Sequence, residues 1–222
     1  MDELIKRLRD EYPDARIVLN YSNTLELLVS VILSAQCTDK KVNEVTATLF
    51  KKYKDVHDYA NAPLEELEQD IRPAGFYRNK AKNIKGAAAM IIERFGGEVP
   101  STMQELIQLP GVARKTANIV LGNAFNIVEG IAVDTHVKRL SNRLGLSTNT
   151  DPEKIERDLM NSVPKDEWFK LTYLLIEHGR AVCDAKKPKC DICCLNDICP
   201  SACRPIPRFQ AIEGGSKGWR KL

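Results

Sequence analysis

Lys115 follows a Pro-Gly turn in the stretch Leu109-Pro110-Gly111-Val112-Ala113-Arg114-Lys115-Thr116-Ala117-Asn118. An apolar run ends at Leu109, the backbone turns at Pro110-Gly111, and a new apolar pattern starts at Thr116. This order predicts helix, tight hairpin, helix. Such a turn presents the amides around Gly111 and Ala113 at a helix N-terminus, where a phosphate binds without any side chain. Lys115 falls in the first turn of the second helix. There the helix dipole disfavours positive charge, and an amine must be neutral to act as a nucleophile. The plainer reading is a solvated surface lysine, as most lysines are.

A carboxylate and a cysteine cluster extend the chemistry. Val133-Asp134-Thr135-His136 precedes Val137, Leu140 and Leu144, so Asp134 opens a helix that Gly145 ends. Capping is a common role for aspartate. Cys183, Cys190, Cys193 and Cys199 have the spacing C-x6-C-x2-C-x5-C. Four thiolates so close in sequence can converge on zinc or on an iron–sulfur cluster. The frequency of structural zinc favours the first, and the wide first gap argues against it. Cys194 and Cys203 are surplus, and Cys37 reads as a buried thiol. The loop between the first two ligands carries Lys186, Lys187 and Lys189, either a phosphate clamp pinned by metal or a solvated charge run.

The elements that must hold these residues read as helices. Residues 2 to 10 form an amphipathic helix. Asn23 with Glu26 makes a capping box for an apolar helix running to about Ala35, and Thr38 caps the next, with Val42, Val45, Leu49 and Tyr53 at helical spacing. Pro63 starts a short helix and Pro73-Ala74-Gly75 a turn. Ile84, Ala88, Ile91 and Phe95 form a stripe stopped by Gly96-Gly97, and Ser101 with Gln104 caps the helix entering the hairpin. Asp151-Pro152 opens another helix, and Trp168, Leu171, Leu175 and Val182 mark the last long one. No alternating run predicts a sheet, so the fold class is all-α.

Composition sets the bounds. The 222 residues allow one large or two modest cores, and 43% hydrophobic with 28% charged residues is ordinary for a globular chain. A net charge of +3 says little about nucleic acid. No apolar stretch approaches a bilayer span and the N-terminus lacks a signal-peptide core, so a cytoplasmic, nucleoid-associated protein without a membrane partner is expected.

The hairpin stretch, Val133-Asp134-Thr135-His136, the four spaced cysteines and Leu33-Ser34-Ala35-Gln36 together resemble the endonuclease III family of helix-hairpin-helix DNA glycosylases. The resemblance covers residues 1 to 205. It implies two helical domains with a DNA groove between them. One is a bundle over residues 20–130 containing the hairpin; the other combines 1–19 with 131–205 and carries a [4Fe-4S] cluster on Cys183, Cys190, Cys193 and Cys199. Residues 206–222 read as a mobile tail.

By position, Lys115 resembles the family's Schiff-base nucleophile and Asp134 its essential carboxylate. Gln36 resembles the residue that fills the hole left by the flipped nucleotide, and Phe76 a second wedge. Asp39 and His136 are pocket candidates. Gly111, Ala113, Lys186, Lys187 and Lys189 are candidates for contacting DNA. The implied partner is double-stranded DNA containing damaged pyrimidines or abasic sites, bound by a monomer that acts as glycosylase and AP lyase. Ala113 stands where the family's hairpin has a second glycine, which requires a negative φ there. The alternatives are a monofunctional adenine glycosylase, whose relatives lack this lysine and place a glutamate near Val31, and a DNA-binding module without catalysis.

Overall fold

A computed structural model describes residues 1–202. Within them there is no β-strand, and eleven α-helices follow one another: α1 (Asp2–Glu11), α2 (Thr24–Leu33), α3 (Asp39–Lys52), α4 (Val56–Asn61), α5 (Leu64–Asp70), α6 (Tyr77–Phe95), α7 (Met103–Leu106), α8 (Arg114–Val120), α9 (Thr135–Arg143), α10 (Pro152–Ser162) and α11 (Trp168–Ala181). The tail predicted over 206–222 lies outside the described residues, as does Cys203.

Caps set most of the starts. The side chains of Asn23, Thr38, Asp134 and Asp151 each accept an amide from the first turn of the helix they precede, which satisfies donors the helix itself leaves open. The predicted Ser101–Gln104 cap is one residue out of register. Thr102 accepts the Glu105 amide at 3.3 Å and donates its hydroxyl to the Glu105 carboxylate at 2.6 Å. That register buries Met103 and Leu106, and a carboxylate answers the hydroxyl better than Gln104 would. Helix α2 ends at Leu33, two residues before the predicted Ala35. The Ser34 hydroxyl donates back to Val31 O at 2.8 Å, and the chain then turns through Gln36 at φ +53°.

Two apolar clusters organise the helices. The first joins Leu19 to residues of α2 through α8, with Leu27, Leu49, Leu67, Ile91 and Val120 among its fully shielded members. The second joins Leu4, Ile5 and Leu8 of α1 to Ile131 and to α9, α10 and α11, reaching Leu195 beside the cysteines. Helix α1 thus packs on the end of the described chain. Arg7 donates to Cys194 O at 3.1 Å and to Asp197 at 2.5 Å. Among the described residues no helix is long and apolar enough to cross a membrane.

Candidate active site

Helix α7 is a single turn, and Leu109 and Val112 sink into the first core on either side of the bend. The Val112 amide closes on Leu109 O at 3.1 Å, which leaves the Gly111 and Ala113 amides without a partner among the described residues. Gly111 sits at φ +79°, and a Cβ there would lie 2.8 Å from Asn83 Cβ, so both conformation and space demand glycine. Ala113 is extended at φ −91°, ψ 171°, and an alanine adopts that conformation without strain.

Helix α8 begins at Arg114 and carries Lys115, half-buried, into a cleft of about 590 Å³. Asp134 enters the same cleft from the start of α9, with Oδ1 accepting the Val137 amide at 2.8 Å. Gln36, Asp39 and His136 line it as well, and a smaller adjoining recess shares Asp39, Lys115 and Asp134. His136 Nδ1 lies 3.2 Å from Arg139 Nη2. Burial pulls the His136 pKa below the usual histidine value. The Asp134 carboxylate opposes that shift, and the Arg139 and Arg180 cations add to it.

Phe76, Gly111, Ala113 and the three lysines are not part of the cleft wall. Phe76 is 64% exposed, so it is not a core aromatic, and its φ of +48° is unusual for a bulky residue. Lys186 and Lys187 are exposed on a turn whose amides donate to Asp184 Oδ1 at 2.8 and 3.2 Å. Lys189 turns away, its ammonium donating to Ala181 O at 3.1 Å at the end of α11. Cys37 is half-buried on the cleft wall.

The four spaced cysteines surround one cavity of about 230 Å³, roofed by Leu140, Leu144 and Val182. Among the described residues no three His, Cys, Asp or Glu side chains are placed to hold a single metal ion. His178 Nε2 lies 3.4 Å from Cys193 Sγ, and Arg143 Nη1 donates to Cys183 Sγ at 3.3 Å. Cys194, packed in the second core, has its thiol pushed up to about 11 by burial.

Several partners escaped the sequence reading. Arg180 on α11 forms an ion pair with Asp39 at the start of α3 and lines the cleft. Glu156 on α10 is buried, accepting from Arg114 Nε at 2.7 Å and Asn118 Nδ2 at 2.8 Å, one donor on each side of Lys115. Lys80 is buried on α6 in line with Ile84, Ala88 and Ile91, and a cation in an apolar stripe was the available signal.

Residues 29–165 match the family of HhH-GPD superfamily base excision DNA repair proteins. An endonuclease III of Synechocystis sp. is 54% identical over 200 residues, covering 90% of this chain and 91% of its own. The chain belongs to the endonuclease III family. Its all-helical fold is that of the family, and its class of activity is DNA glycosylase and AP lyase. A solved non-covalent endonuclease III–DNA complex is similar with a TM-score of 0.87 at 47% identity, covering 90% of this chain and 94% of that one. A trapped endonuclease III–DNA covalent intermediate gives 0.86 at 48% identity, covering 89% and 92%.

Proposed function

We propose that this family member removes oxidised pyrimidines from duplex DNA through a lysine Schiff base and then cleaves the strand 3′ to the abasic site. The observation that carries the reading is the meeting of Lys115 and Asp134 in one cleft beside a turn with free amides. The Gly111 and Ala113 amides hold a backbone phosphate without reading sequence, aided by exposed Lys186 and Lys187. The target nucleotide leaves the stack to reach the cleft. Phe76 and Gln36 enter the duplex in its place, since both stand exposed on turns.

Departure of the base builds positive charge on the sugar, and the Asp134 carboxylate stabilises it. The neutral Lys115 amine attacks C1′ and the C1′–N bond to the base breaks, with its electron pair leaving on the base. Loss of a proton from nitrogen and opening of the sugar give an imine. The imine acidifies the C2′ proton; its removal forms the C1′–C2′ enamine, which expels the 3′ phosphate by β-elimination. The trapped covalent complex of a relative supports such an intermediate.

The DNA-binding units are two domains, 20–130 and 1–19 with 131–205; the two apolar clusters support this division over the described residues except at Leu19, which packs in the first. The donor set suits a [4Fe-4S] cluster on Cys183, Cys190, Cys193 and Cys199: four thiols ring one roomy cavity, and among the described residues no three ligands are gathered as a single zinc ion requires. When bound, the cluster supplies a covalent staple for the lysine-bearing loop. Val31 is buried at 3% exposure and holds no ionisable group, which disfavours the adenine-removing chemistry.

Borohydride added to the protein and an oxidised-pyrimidine duplex is expected to trap a covalent adduct that Lys115→Ala abolishes. An adduct that persists without Lys115 would refute the nucleophile. Salt-sensitive binding with neither adduct nor strand cleavage would instead establish a non-catalytic module.

A further inference from the structure

Lys80 is the one lysine among the described residues that is buried, at 4% exposure. Among the described residues no carboxylate pairs with it. Its ammonium donates instead to two backbone carbonyls, Leu33 O and Ala74 O, each at 2.9 Å. Leu33 is the last residue of α2, three before Gln36, and Ala74 lies two before Phe76. Both residues at the far ends of these short connections have left-handed backbone, φ +53° at Gln36 and +48° at Phe76. Such a conformation persists in non-glycine residues only where the surroundings enforce it. An isolated cation in an apolar stripe is costly, and packing alone would be served by methionine at that site. What the cation adds is a fixed distance between two loops distant in sequence.

We propose that Lys80 is a positioning residue for base extrusion: by tying the C-terminus of α2 to the turn before α6, it presents Gln36 and Phe76 to the duplex as one rigid pair. The inference rests on the reading that these two residues enter the helix. Burial lowers the Lys80 pKa, in keeping with a buried ammonium bound only by neutral carbonyls. Loss of the tie leaves Lys115 and Asp134 in place, because neither is attached to the loops through Lys80.

The test compares full-length cluster-loaded wild type, Lys80→Met and Lys80→Arg on two substrates. One is a duplex with an oxidised pyrimidine beside 2-aminopurine, whose fluorescence reports unstacking; the other is a single-stranded abasic oligonucleotide, which needs no extrusion. Lys80→Met should slow the single-turnover duplex reaction by about tenfold to a hundredfold and blunt the fluorescence rise, the scale expected for misplaced contacts. Borohydride trapping on the single strand should match wild type, and Lys80→Arg should recover part of the duplex rate. If Lys80→Met melts without a cooperative transition, Lys80→Gln, which retains one donor group, must show the same split between substrates. A folded variant with wild-type duplex rate and fluorescence overturns the proposal, as does a parallel loss on both substrates. Gln36→Ala and Phe76→Ala separate the two layers. If they leave duplex rate and fluorescence intact, the insertion reading fails and takes the proposal with it. If they impair both while folded Lys80→Met does not, only the role of Lys80 fails.

Discussion

Asp134 combines two duties that a single carboxylate can hold together. Oδ1 is committed to the Val137 amide, fixing the side chain at the start of α9, and the group still borders the cleft. His136, two residues on, is held by Arg139 and depressed by burial. Its protonation is therefore linked to folding. The unfolded histidine takes up a proton near its ordinary value of about 6.5, while the folded one does so only at lower pH. Stability is thus retained above that value and lost as pH falls through it toward the folded pKa. Urea midpoints measured from pH 7 to pH 5 should fall more steeply for wild type than for His136→Gln, and a wild type that gains stability on acidification relative to the variant would contradict this. At this scale the sequence spoke clearly where a residue's role is local. Asp134 as a cap and Lys115 in a first turn follow from neighbours in the chain. The Asp39–Arg180 pair does not, because the dipole argument that explains an aspartate at the start of α3 says nothing of a cation on α11.

Helix α8 owes its placement to another helix. Glu156 on α10 accepts from Arg114 and Asn118, which lie one turn apart and bracket Lys115. The chain between the cores passes close over this group, since a Cβ at Gly130 would lie 1.9 Å from Glu156 Oε1 and 3.0 Å from Asn118. Glu156→Ala should destabilise the protein by about 2 kcal/mol, a buried charge-assisted network discounted for the partly exposed Arg114. The same variant should lower the rate of adduct trapping with little change in DNA affinity. Chemical denaturation and single-turnover kinetics check both, and an unchanged trapping rate would remove Glu156 from the support of Lys115. Helix types and most starts were readable because caps and apolar spacing are short-range signals. The five-residue π-helical stretch Leu121–Phe125 was not, since it packs on Phe169 of α11, distant in sequence and 2.5 Å from where a Gly122 Cβ would stand. Glu156 likewise carries no local signal, because its partners Arg114 and Asn118 lie about forty residues away in the chain.

Across the whole molecule the second core is built from both ends of the described chain, closed by the cysteine loop. The proposed cluster and α1 therefore stand or fall together, because Arg7 docks on Cys194 O and Asp197 within that loop. Purified protein is expected to be brown, with broad visible absorption and four irons per chain. Oxidative stripping followed by chelation should bleach it, lower the melting temperature and expose α1 to trypsin at Lys6, Arg7 and Arg9. A colourless preparation with stoichiometric zinc would rule the cluster out. The joining of distant ends also bears on how the molecule is made. Contacts between Arg7 and Cys194 span 187 residues. At the usual pace of synthesis, the partners of Leu4, Ile5 and Leu8 emerge on the order of 10 to 40 s after them. Helix α1 thus leaves the ribosome well before the helices that cover it, and its apolar face waits exposed while they are made.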